Sequence, residues 1–521
     1  MPADAENVPG SDWLVVQVDH QRSAQEGWLE ELDAIADLPK REKEMLLRDG
    51  HPIIVSPSLE IDDRLVEFFA YGMGDVLSKT RLNRARALTH WLEWLSHPEV
   101  GVDDWAGVQD WHFWSFKAYR TESRFHPDGG VISEATFGTD TLSVLRDLYG
   151  WAERKRLVEH SPIPERASRQ QGSESNTITV KSSPPRVRWA TPGTFQLWRD
   201  VGLQGCVAVR DGNAIRAGER DDSWKGGRNR QRDVAYVNFM VTTALRAREQ
   251  STLLTIELPA MSGNVRLPEG VAKFGNSRIY TPSQIGLHSV ERYVSGERAK
   301  AVARAKKHER YDDFARRHDV RVVTFEGKGR RRRWRAEYGR SGSFEPLTGD
   351  DRRGMFIRDE QGRLEPLMLW LNDDGLPMST SGIEKIFERA NDRVFDQCEA
   401  LGMTSEDIPN LSQHSLRFTF ALWQLLALHR RIDERSGAKP EKYDEERYKG
   451  AFDVVRDLLG HADVETTRKT YLKPVQTLWV GELLGEGFTG ELSEVIARMT
   501  AGADLVLDTG TVFVGKEGDG G

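Results

Sequence analysis

Three short segments of the sequence combine residue types that can act on a phosphate ester. In chain order they supply Arg246 and Glu249, then His414 and Arg417, then His461 and Tyr471. Arginine grips phosphate oxygens through a planar fork that stays charged, which lysine does less well. A tyrosine hydroxyl can attack phosphorus if a base or a positive field removes its proton, because its usual pKa is about 10. Histidine can act as that base.

Each segment taken alone also fits an ordinary structural role. An arginine three residues before a glutamate on a helix is usually an exposed ion pair. His414 and Arg417 share one helix face at i, i+3 beside FTFAL, a pattern typical of a core with a polar edge. A lone tyrosine is usually a buried structural residue. The interpretation therefore depends on the three segments occurring together, in this order, in one chain.

Together the segments resemble the motifs of the tyrosine recombinase (phage integrase) family. TTALRAREQ is similar to that family's T-G-L-R-x-x-E box, with Ala244 in place of the usual glycine. HSLRFTFAL is similar to its H-x-L-R-H-T-F-A box, with Phe418 in place of the usual second histidine. LLGHADVETTRKTYLKP resembles its L-G-H-x-x-x-x-T-T-x-x-Y ending, and AKFGNSRIYTP resembles the G-K-G-x-x-R-x-x-P-L pattern that carries a lysine, here Lys273.

The resemblance implies a role for each matching residue. Tyr471 would be the nucleophile that forms a 3′-phosphotyrosine, and Arg246 and Arg417 would hold the scissile phosphate. The remaining roles would be His414 as base, His461 as hydrogen-bond donor to phosphate, Lys273 as general acid for the 5′ oxygen, and Glu249 as the group that orients the arginines. We expect no cofactor, because the phosphotyrosine conserves the bond energy and the sequence has neither a GxxxxGK[ST] loop nor a set of metal ligands at suitable spacing.

Bulk composition is that of a soluble globular protein with several domains. The chain has 521 residues, of which 38% are hydrophobic and 30% charged, and length suggests two to four domains. No segment is apolar over the roughly 18 to 20 residues that a membrane span requires. The N-terminus lacks the features of a secretory signal. Cys206 and Cys398 are far apart without CxxC spacing, which favours a reducing compartment, and we expect a cytoplasmic protein.

The pattern along the chain predicts a mainly α fold with small β-hairpin and sheet elements, comprising a helical core-binding domain and an α+β catalytic domain. The predicted divisions are 1–57, of unknown role; 58–162, the core-binding domain; 163–188, a linker; 189–480, the catalytic domain with a basic insertion at 297–340; and 481–521, an acidic tail. Thr191 and Pro192 should cap and begin a helix. We expect a loop over 211–232 and a small hairpin over 263–282.

The charges are segregated, so the net charge of −8 does not exclude nucleic acid. Residues 297–340 contain 16 Lys and Arg against 7 Asp and Glu. We expect double-stranded DNA as partner, contacted by the run Arg330, Arg331, Arg332 and Arg333 and by Arg84. The resemblance also implies a homo-oligomer, dimer or tetramer, on DNA, accessory proteins as further partners, and a natural role in integrating or excising a mobile element.

Three other functions compete with this interpretation. A type IB topoisomerase shares the arginine, histidine and tyrosine chemistry, and an assay of strand exchange against simple relaxation would separate the two. A catalytically inactive DNA-binding accessory protein could keep the fold, but the intact set of catalytic residue types argues against it. A purely structural or interaction protein is disfavoured by the three ordered motifs.

Overall fold

Helices form most of the chain, as the sequence predicts. The structure is a computed structural model that describes residues 13–18, 47, 50–74, 76, 78–122, 124, 130–166, 177–178, 189–212, 214–259, 261–318, 320–327, 332–437, 443–483 and 512–513. The chain divides into two compact units, Met1–Pro184 and Pro185–Gly521. The division falls within the segment 163–188 that was predicted to be a linker. No helix in the described ranges is long and apolar enough to cross a membrane.

The first unit is a helical bundle with two short pairs of strands. Its elements are β1 (Leu14–Gln17), β2 (Pro52–Val55), α1 (Asp63–Glu67), α2 (Ser78–Leu95), α3 (Asp110–Thr121), α4 (Glu134–Thr136), α5 (Leu142–Arg154), β3 (Glu165–Arg166) and β4 (Thr177–Ile178). Strands β1 and β2 are antiparallel. One π-helical turn follows α1 and another joins α4 to α5.

The core of this bundle is aromatic and internally hydrogen-bonded. Trp91 is fully buried, packs edge-on against Phe116 at 4.9 Å between ring centroids, and donates to the Tyr149 hydroxyl at 3.1 Å. Tyr149 in turn donates to the Trp105 carbonyl at 2.8 Å. Large aromatic side chains bury much area at low entropic cost, and their polar atoms find partners here, so these contacts join α2, α3 and α5 into one core.

The second unit contains the three motifs. Its helices are α6 (Pro192–Arg199), α7 (Arg230–Thr243), α8 (Ala247–Ser251), α9 (Gln284–Tyr293), α10 (Ala299–Lys307), α11 (Arg310–Arg317), α12 (Gly349–Arg353), α13 (Thr380–Glu399), α14 (Gln413–Ser436), α15 (Glu445–Leu459) and α16 (Val464–Leu483). Helix α6 begins as predicted, with Thr191 accepting from the Thr194 N–H and Pro192 at its first position. Helix α16 extends three residues past the predicted end of the domain at 480, and most of the predicted tail lies outside the described residues.

The strands of the second unit form three small sheets. They are β5 (Cys206–Asp211), β6 (Ala214–Arg220), β7 (Val265–Arg266), β8 (Ile279–Tyr280), β9 (Arg321–Glu326), β10 (Arg333–Ala336), β11 (Ser341–Ser343), β12 (Met355–Arg358), β13 (Leu364–Pro366) and β14 (Val512–Phe513). The largest sheet has the order β11-β10-β9-β12-β13, in which only β9 and β12 are parallel. Strand β14 pairs with β6, and β7 pairs with β8 as the predicted hairpin.

The prediction of a loop over 211–232 is wrong at both ends. Residues 214–220 form β6, which pairs antiparallel with β5, and α7 begins at Arg230. The polar, glycine-containing composition hid the strand, because only Ala214 and Ile215 of β6 are buried. Gly218 is required there, since a Cβ at this position would lie 2.7 Å from the Val209 side chain.

Candidate active site

A left-handed turn between α7 and α8 positions the first motif. Ala244 ends α7 with φ 52°, and its N–H donates to the Met240 carbonyl at 3.0 Å. The chain then reaches Arg246, which immediately precedes α8. Glu249 in α8 accepts from the Arg246 N–H at 2.8 Å and from its Nη1 at 2.9 Å. Main chain and side chain of Arg246 are therefore both held by one carboxylate.

Arg278 is a member of this cluster that the sequence interpretation did not select. It lies beside β8 and donates from Nη1 to Glu249 Oε1 at 2.8 Å and from Nη2 to the other carboxylate oxygen. Both side chains are almost fully buried. Burial opposes ionisation, but the hydrogen bond and charge of Arg278 and the contact with Arg246 lower the pKa of Glu249 to about 2. Part of the signal was available, because the G-K-G-x-x-R pattern has an arginine four positions after its lysine and Arg278 lies five positions after Lys273.

Arg417, from the second motif, is held by the ends of two helices. It is buried in α14 and donates from Nη1 to the Ala244 carbonyl and from Nη2 to the Leu459 carbonyl. These carbonyls lie at the C-terminal ends of α7 and α15, where the helix dipoles are negative. Burial, together with the charges of Arg246 and Arg278, lowers the pKa of Arg417 to about 9, which still leaves the guanidinium charged at neutral pH.

His461, from the third motif, follows the turn that ends α15. Gly460 adopts φ 62° at this turn, and its carbonyl accepts from Arg246 Nη2 at 3.4 Å. His461 Nδ1 shares a hydrogen bond with the Thr467 hydroxyl at 2.9 Å, which leaves Nε2 as the atom available to a ligand. Burial and the charges of Arg417, Arg246 and Arg278 lower the pKa of His461 to about 4.

His414 lies near the start of α14, one turn before Arg417. Its ring contacts that of Phe418 with centroids 4.3 Å apart. Partial removal of the ring from water and the charges of Arg417, Arg246 and Lys273 lower the pKa of His414. The imidazole is therefore neutral at physiological pH, as a proton acceptor must be.

Lys273 lies in the turn between β7 and β8, where its side chain is exposed. Its charge is one of those that lower the pKa of His414, so it lies within electrostatic range of the site. The hairpin therefore carries two cationic side chains of the site, Lys273 at its turn and Arg278 beside β8.

Tyr471 is in α16 and is fully buried. Its ring contacts Phe418 edge-on at 5.7 Å and belongs to an apolar cluster with Ala244, Phe420, Phe452 and Leu459. The hydroxyl has no hydrogen-bond partner among the described residues. Burial raises the pKa of Tyr471, and the nearby charge of Arg417 acts in the opposite direction.

A cavity of about 650 Å³ opens beside these residues. The hairpin contributes Asn264, Asn276, Arg278 and Thr281 to its wall, and the end of α15 contributes Asp457 and His461. Arg278 supplies a cation to this wall, which also includes the apolar side chains of Ile279, Val454 and Leu458. No group of three or more His, Cys, Asp or Glu side chains among the described residues is arranged to hold a metal ion.

The residues predicted to contact DNA differ in their surroundings. Arg330 and Arg331 lie outside the described residues. Arg332 is half-buried and donates to the Ile256 carbonyl at 3.0 Å, whereas Arg333 is exposed in β10. Arg84, in the first unit, forms an ion pair with Asp147 and donates to Ser143. DNA contact by these residues stays a prediction.

Solved structures of tyrosine recombinases resemble this chain. The XerH site-specific recombinase bound to palindromic difH substrate, in a post-cleavage complex, aligns with 12% identity and a TM-score of 0.41, over 83% of this chain and 87% of that chain. The Tn1549 transposon integrase in complex with a circular intermediate DNA aligns with 12% identity and a TM-score of 0.41, over 77% and 92%. The XerA recombinase aligns with 12% identity and a TM-score of 0.27, over 81% and 98%.

No protein-family model matches the sequence, and no curated protein does. The function proposed next therefore depends on the side chains of this chain and their geometry.

Proposed function

We propose that this protein is a site-specific DNA recombinase that cuts and rejoins DNA through a covalent bond to Tyr471. The observation that carries the proposal is the convergence of side chains from distant parts of the sequence on one site. Arg246, Arg417 and His461 are linked through the ends of α7 and α15, although up to 215 positions separate them. Each of the three motifs alone fits an ordinary structural role, but together they form a cluster that could hold a phosphate.

The charge balance of the cluster supports an anionic substrate. Arg246 and Arg278 form ion pairs with a single carboxylate, Glu249. The charge of this carboxylate also acts on the guanidinium group of Arg417. Most of the remaining contacts are neutral main-chain carbonyls, so the site keeps a surplus of positive charge. A phosphate gains most where donors are already oriented toward its oxygens and are shielded from water.

The proposed reaction is an in-line displacement at phosphorus. The Tyr471 oxygen attacks, its proton passes to His414, and the bond from phosphorus to the 5′ oxygen breaks. Lys273 donates a proton to that leaving oxygen, which gives a free 5′ hydroxyl and a 3′-phosphotyrosine. The reverse reaction with a 5′ hydroxyl of another strand restores the phosphodiester and frees the enzyme.

The other contacts of the site fit supporting roles in this scheme. His461 can donate from Nε2 to a phosphate oxygen when its Nδ1 accepts from the Thr467 hydroxyl. Glu249 is buried and accepts from both Arg246 and Arg278, so it can orient Arg246. Recombination between two duplexes needs more than one active site, so we propose that the protein acts as an oligomer on DNA, with the integration or excision of a mobile element as its natural event.

Covalent trapping tests the proposal directly. The purified chain is incubated with a library of nicked duplexes, which prevents religation, and SDS-stable protein–DNA adducts are isolated and sequenced. Wild-type protein should give adducts that share a DNA sequence, and digestion should leave the DNA attached to the peptide that contains Tyr471.

Tyr471→Phe is the decisive variant, and Tyr448→Phe is its control. Tyr448 is a buried tyrosine whose hydroxyl donates to Asp433 at 2.9 Å, away from the cluster. Tyr471→Phe should bind DNA like the wild type and give no adduct, and Tyr448→Phe should still give one. An adduct in the Tyr471→Phe variant, or attachment at Tyr448, would refute the assignment. Cleavage should also proceed in EDTA, and a strict requirement for magnesium would count against the mechanism.

A further inference from the structure

Phe418 contacts both the proposed base and the proposed nucleophile. Its ring meets that of His414 with centroids 4.3 Å apart and planes at 63°, and that of Tyr471 with centroids 5.7 Å apart and planes at 71°. Both contacts are edge-to-face, an arrangement that aromatic rings favour. One side chain therefore contacts both groups that must exchange a proton in the proposed reaction.

The position of Tyr471 in this structure is not one from which it can react. Its hydroxyl has no exposed surface and no hydrogen-bond partner among the described residues. A buried phenol with no acceptor keeps its proton, and a group without exposed surface cannot reach a phosphate from outside. Tyr471 must therefore leave the apolar cluster, and break its contact with Phe418, before it can attack.

We propose that Phe418 is a positioning residue that retains Tyr471 in its buried position and so limits how fast the nucleophile becomes available. This inference rests on the proposed function. Phe418 is only partly buried and packs on the edge of the cluster that contains Tyr471, so it lies at the boundary between that cluster and solvent. Its ring offers no hydrogen-bond acceptor to the tyrosine hydroxyl and no path for a proton to His414.

The residue type matters for this role. The motif that the segment resembles has histidine at this position, and an imidazole could accept a hydrogen bond from the tyrosine hydroxyl and draw water toward it. Phenylalanine at the same position holds the tyrosine by packing alone. The departure from the motif therefore falls on the residue that contacts Tyr471 in its buried position.

The first test uses the wild-type chain without DNA. Hydroxyl-radical labelling, read by mass spectrometry, compares the peptide of Tyr471 with that of Tyr338, which is 93% exposed. Tyr471 should label much more slowly than Tyr338. Equal labelling of the two tyrosines would overturn the inference, whatever the outcome of the DNA reaction.

The second test compares Phe418→Leu with Phe420→Leu. Phe420 is in the same helix and the same cluster, but has no ring contact with Tyr471 in the part of the chain that the structure describes. Phe418→Leu should speed both labelling of Tyr471 and single-turnover adduct formation, by about twofold to tenfold for the loss of an aromatic pair. Phe420→Leu should change neither rate in this direction, and Phe418→Tyr, which keeps the ring, should behave like the wild type.

Two outcomes would overturn the inference. Unchanged labelling in a folded Phe418→Leu variant would show that Phe418 does not retain Tyr471. Faster labelling with slower adduct formation would show that Phe418 instead supports the reactive position.

If Phe418→Leu does not fold by circular dichroism, Phe418→His replaces it with the same expected direction, and the wild-type comparison still applies. Absence of any adduct in the wild type would refute the proposed function while leaving the labelling result intact.

Discussion

Arginine side chains are concentrated in two regions of the second unit, and the two regions balance their charge differently. In the candidate active site, Arg246 and Arg278 share the one carboxylate of Glu249, and Arg417 donates to two main-chain carbonyls. The site is thus built with fewer anions than cations, and the charges of the three arginines lower the pKa of His461.

In the basic segment 297–340, by contrast, several cations are paired with carboxylates. Arg335 pairs with Glu326 at 2.6 Å, Arg321 with Asp351 at 3.0 Å, and Lys306 with Asp359 at 2.9 Å and with Glu365 at 2.6 Å. Each of these three cations has a carboxylate partner, and the partners of Arg321 and Lys306 lie outside the segment. A high count of basic residues in sequence therefore need not give a cationic surface, whereas a few arginines held by neutral carbonyls retain their charge for a ligand.

The largest effect that separates the two regions should follow from Glu249→Gln. This change leaves the buried charge of Arg278 without its partner, which should lower the free energy of unfolding by about 3 to 5 kcal/mol. The matched change in the sheet, Glu326→Gln, removes an exposed partner of Arg335 and should leave the melting temperature nearly unchanged. Equal melting temperatures for the two variants would contradict the contrast. The loss in Glu249→Gln should also persist at any pH above about 4, because the pKa of Glu249 in the folded chain is about 2 and that of an unfolded glutamate is about 4.

Replacing arginine by lysine should slow DNA cleavage in the candidate active site but not in the basic segment. Arg417→Lys keeps a positive charge but loses the two-pronged grip, so single-turnover cleavage should lose about 2 to 4 kcal/mol of transition-state stabilisation. Arg246→Lys should behave similarly. Arg335→Lys, in the sheet, should cleave at the wild-type rate. A normal rate for Arg417→Lys would remove Arg417 from the phosphate site.

Binding as a function of salt tests the predicted DNA contacts of the basic segment. Arg333 is exposed, whereas Arg335 on the same strand is paired with Glu326. If Arg333 meets a phosphate, Arg333→Ala should reduce the log–log salt slope of DNA binding by about 0.9, and Arg335→Ala should reduce it less. Changing Arg330, Arg331, Arg332 and Arg333 together should weaken binding to specific and random DNA alike. An unchanged slope in that quadruple variant would assign the run to protein structure.

The smallest expected effect is on the pH dependence of cleavage. The charges of Arg417, Arg246 and Lys273 add to the effect of burial and lower the pKa of His414, so this base should stay neutral, and cleavage should persist, below the usual histidine range of about 6.5. Arg246→Gln removes one of these charges and should raise the pKa of His414. The acid limb of the pH–rate profile should then move to higher pH. Arg335→Gln, in the sheet, should leave the limb in place.

The motifs and their order along the chain were sufficient to select most of the candidate site residues. Arg246, His414, Arg417, His461 and Tyr471 were selected from motifs, and the structure brings their elements together. The assignment of their roles remains a prediction. Helix positions followed from apolar spacing, because long amphipathic segments are specified locally.

Features that depend on residues distant in the chain could not be predicted from the sequence. The role of Arg278 becomes visible only when the hairpin meets α8, 29 positions earlier in the chain. Likewise, Arg321 and Lys306 of the basic segment pair with Asp351, Asp359 and Glu365. No local sequence pattern predicts these pairs. Strand β6 was mistaken for a loop because its stability comes from β5 and not from its own composition.

The anchoring of Arg417 by main-chain carbonyls has a consequence for mutational scanning. Every residue has the same carbonyl group, so exchanging the side chain of Ala244 or Leu459 leaves the acceptor in place. A scan by single substitutions would record Arg417 as sensitive and would assign its two anchors no role in holding it. Only changes that move the ends of α7 and α15, such as an inserted residue or a proline in the last turn, would reveal them. The two acceptors thus depend on where the helices end and not on the chemical identity of the side chains at Ala244 and Leu459.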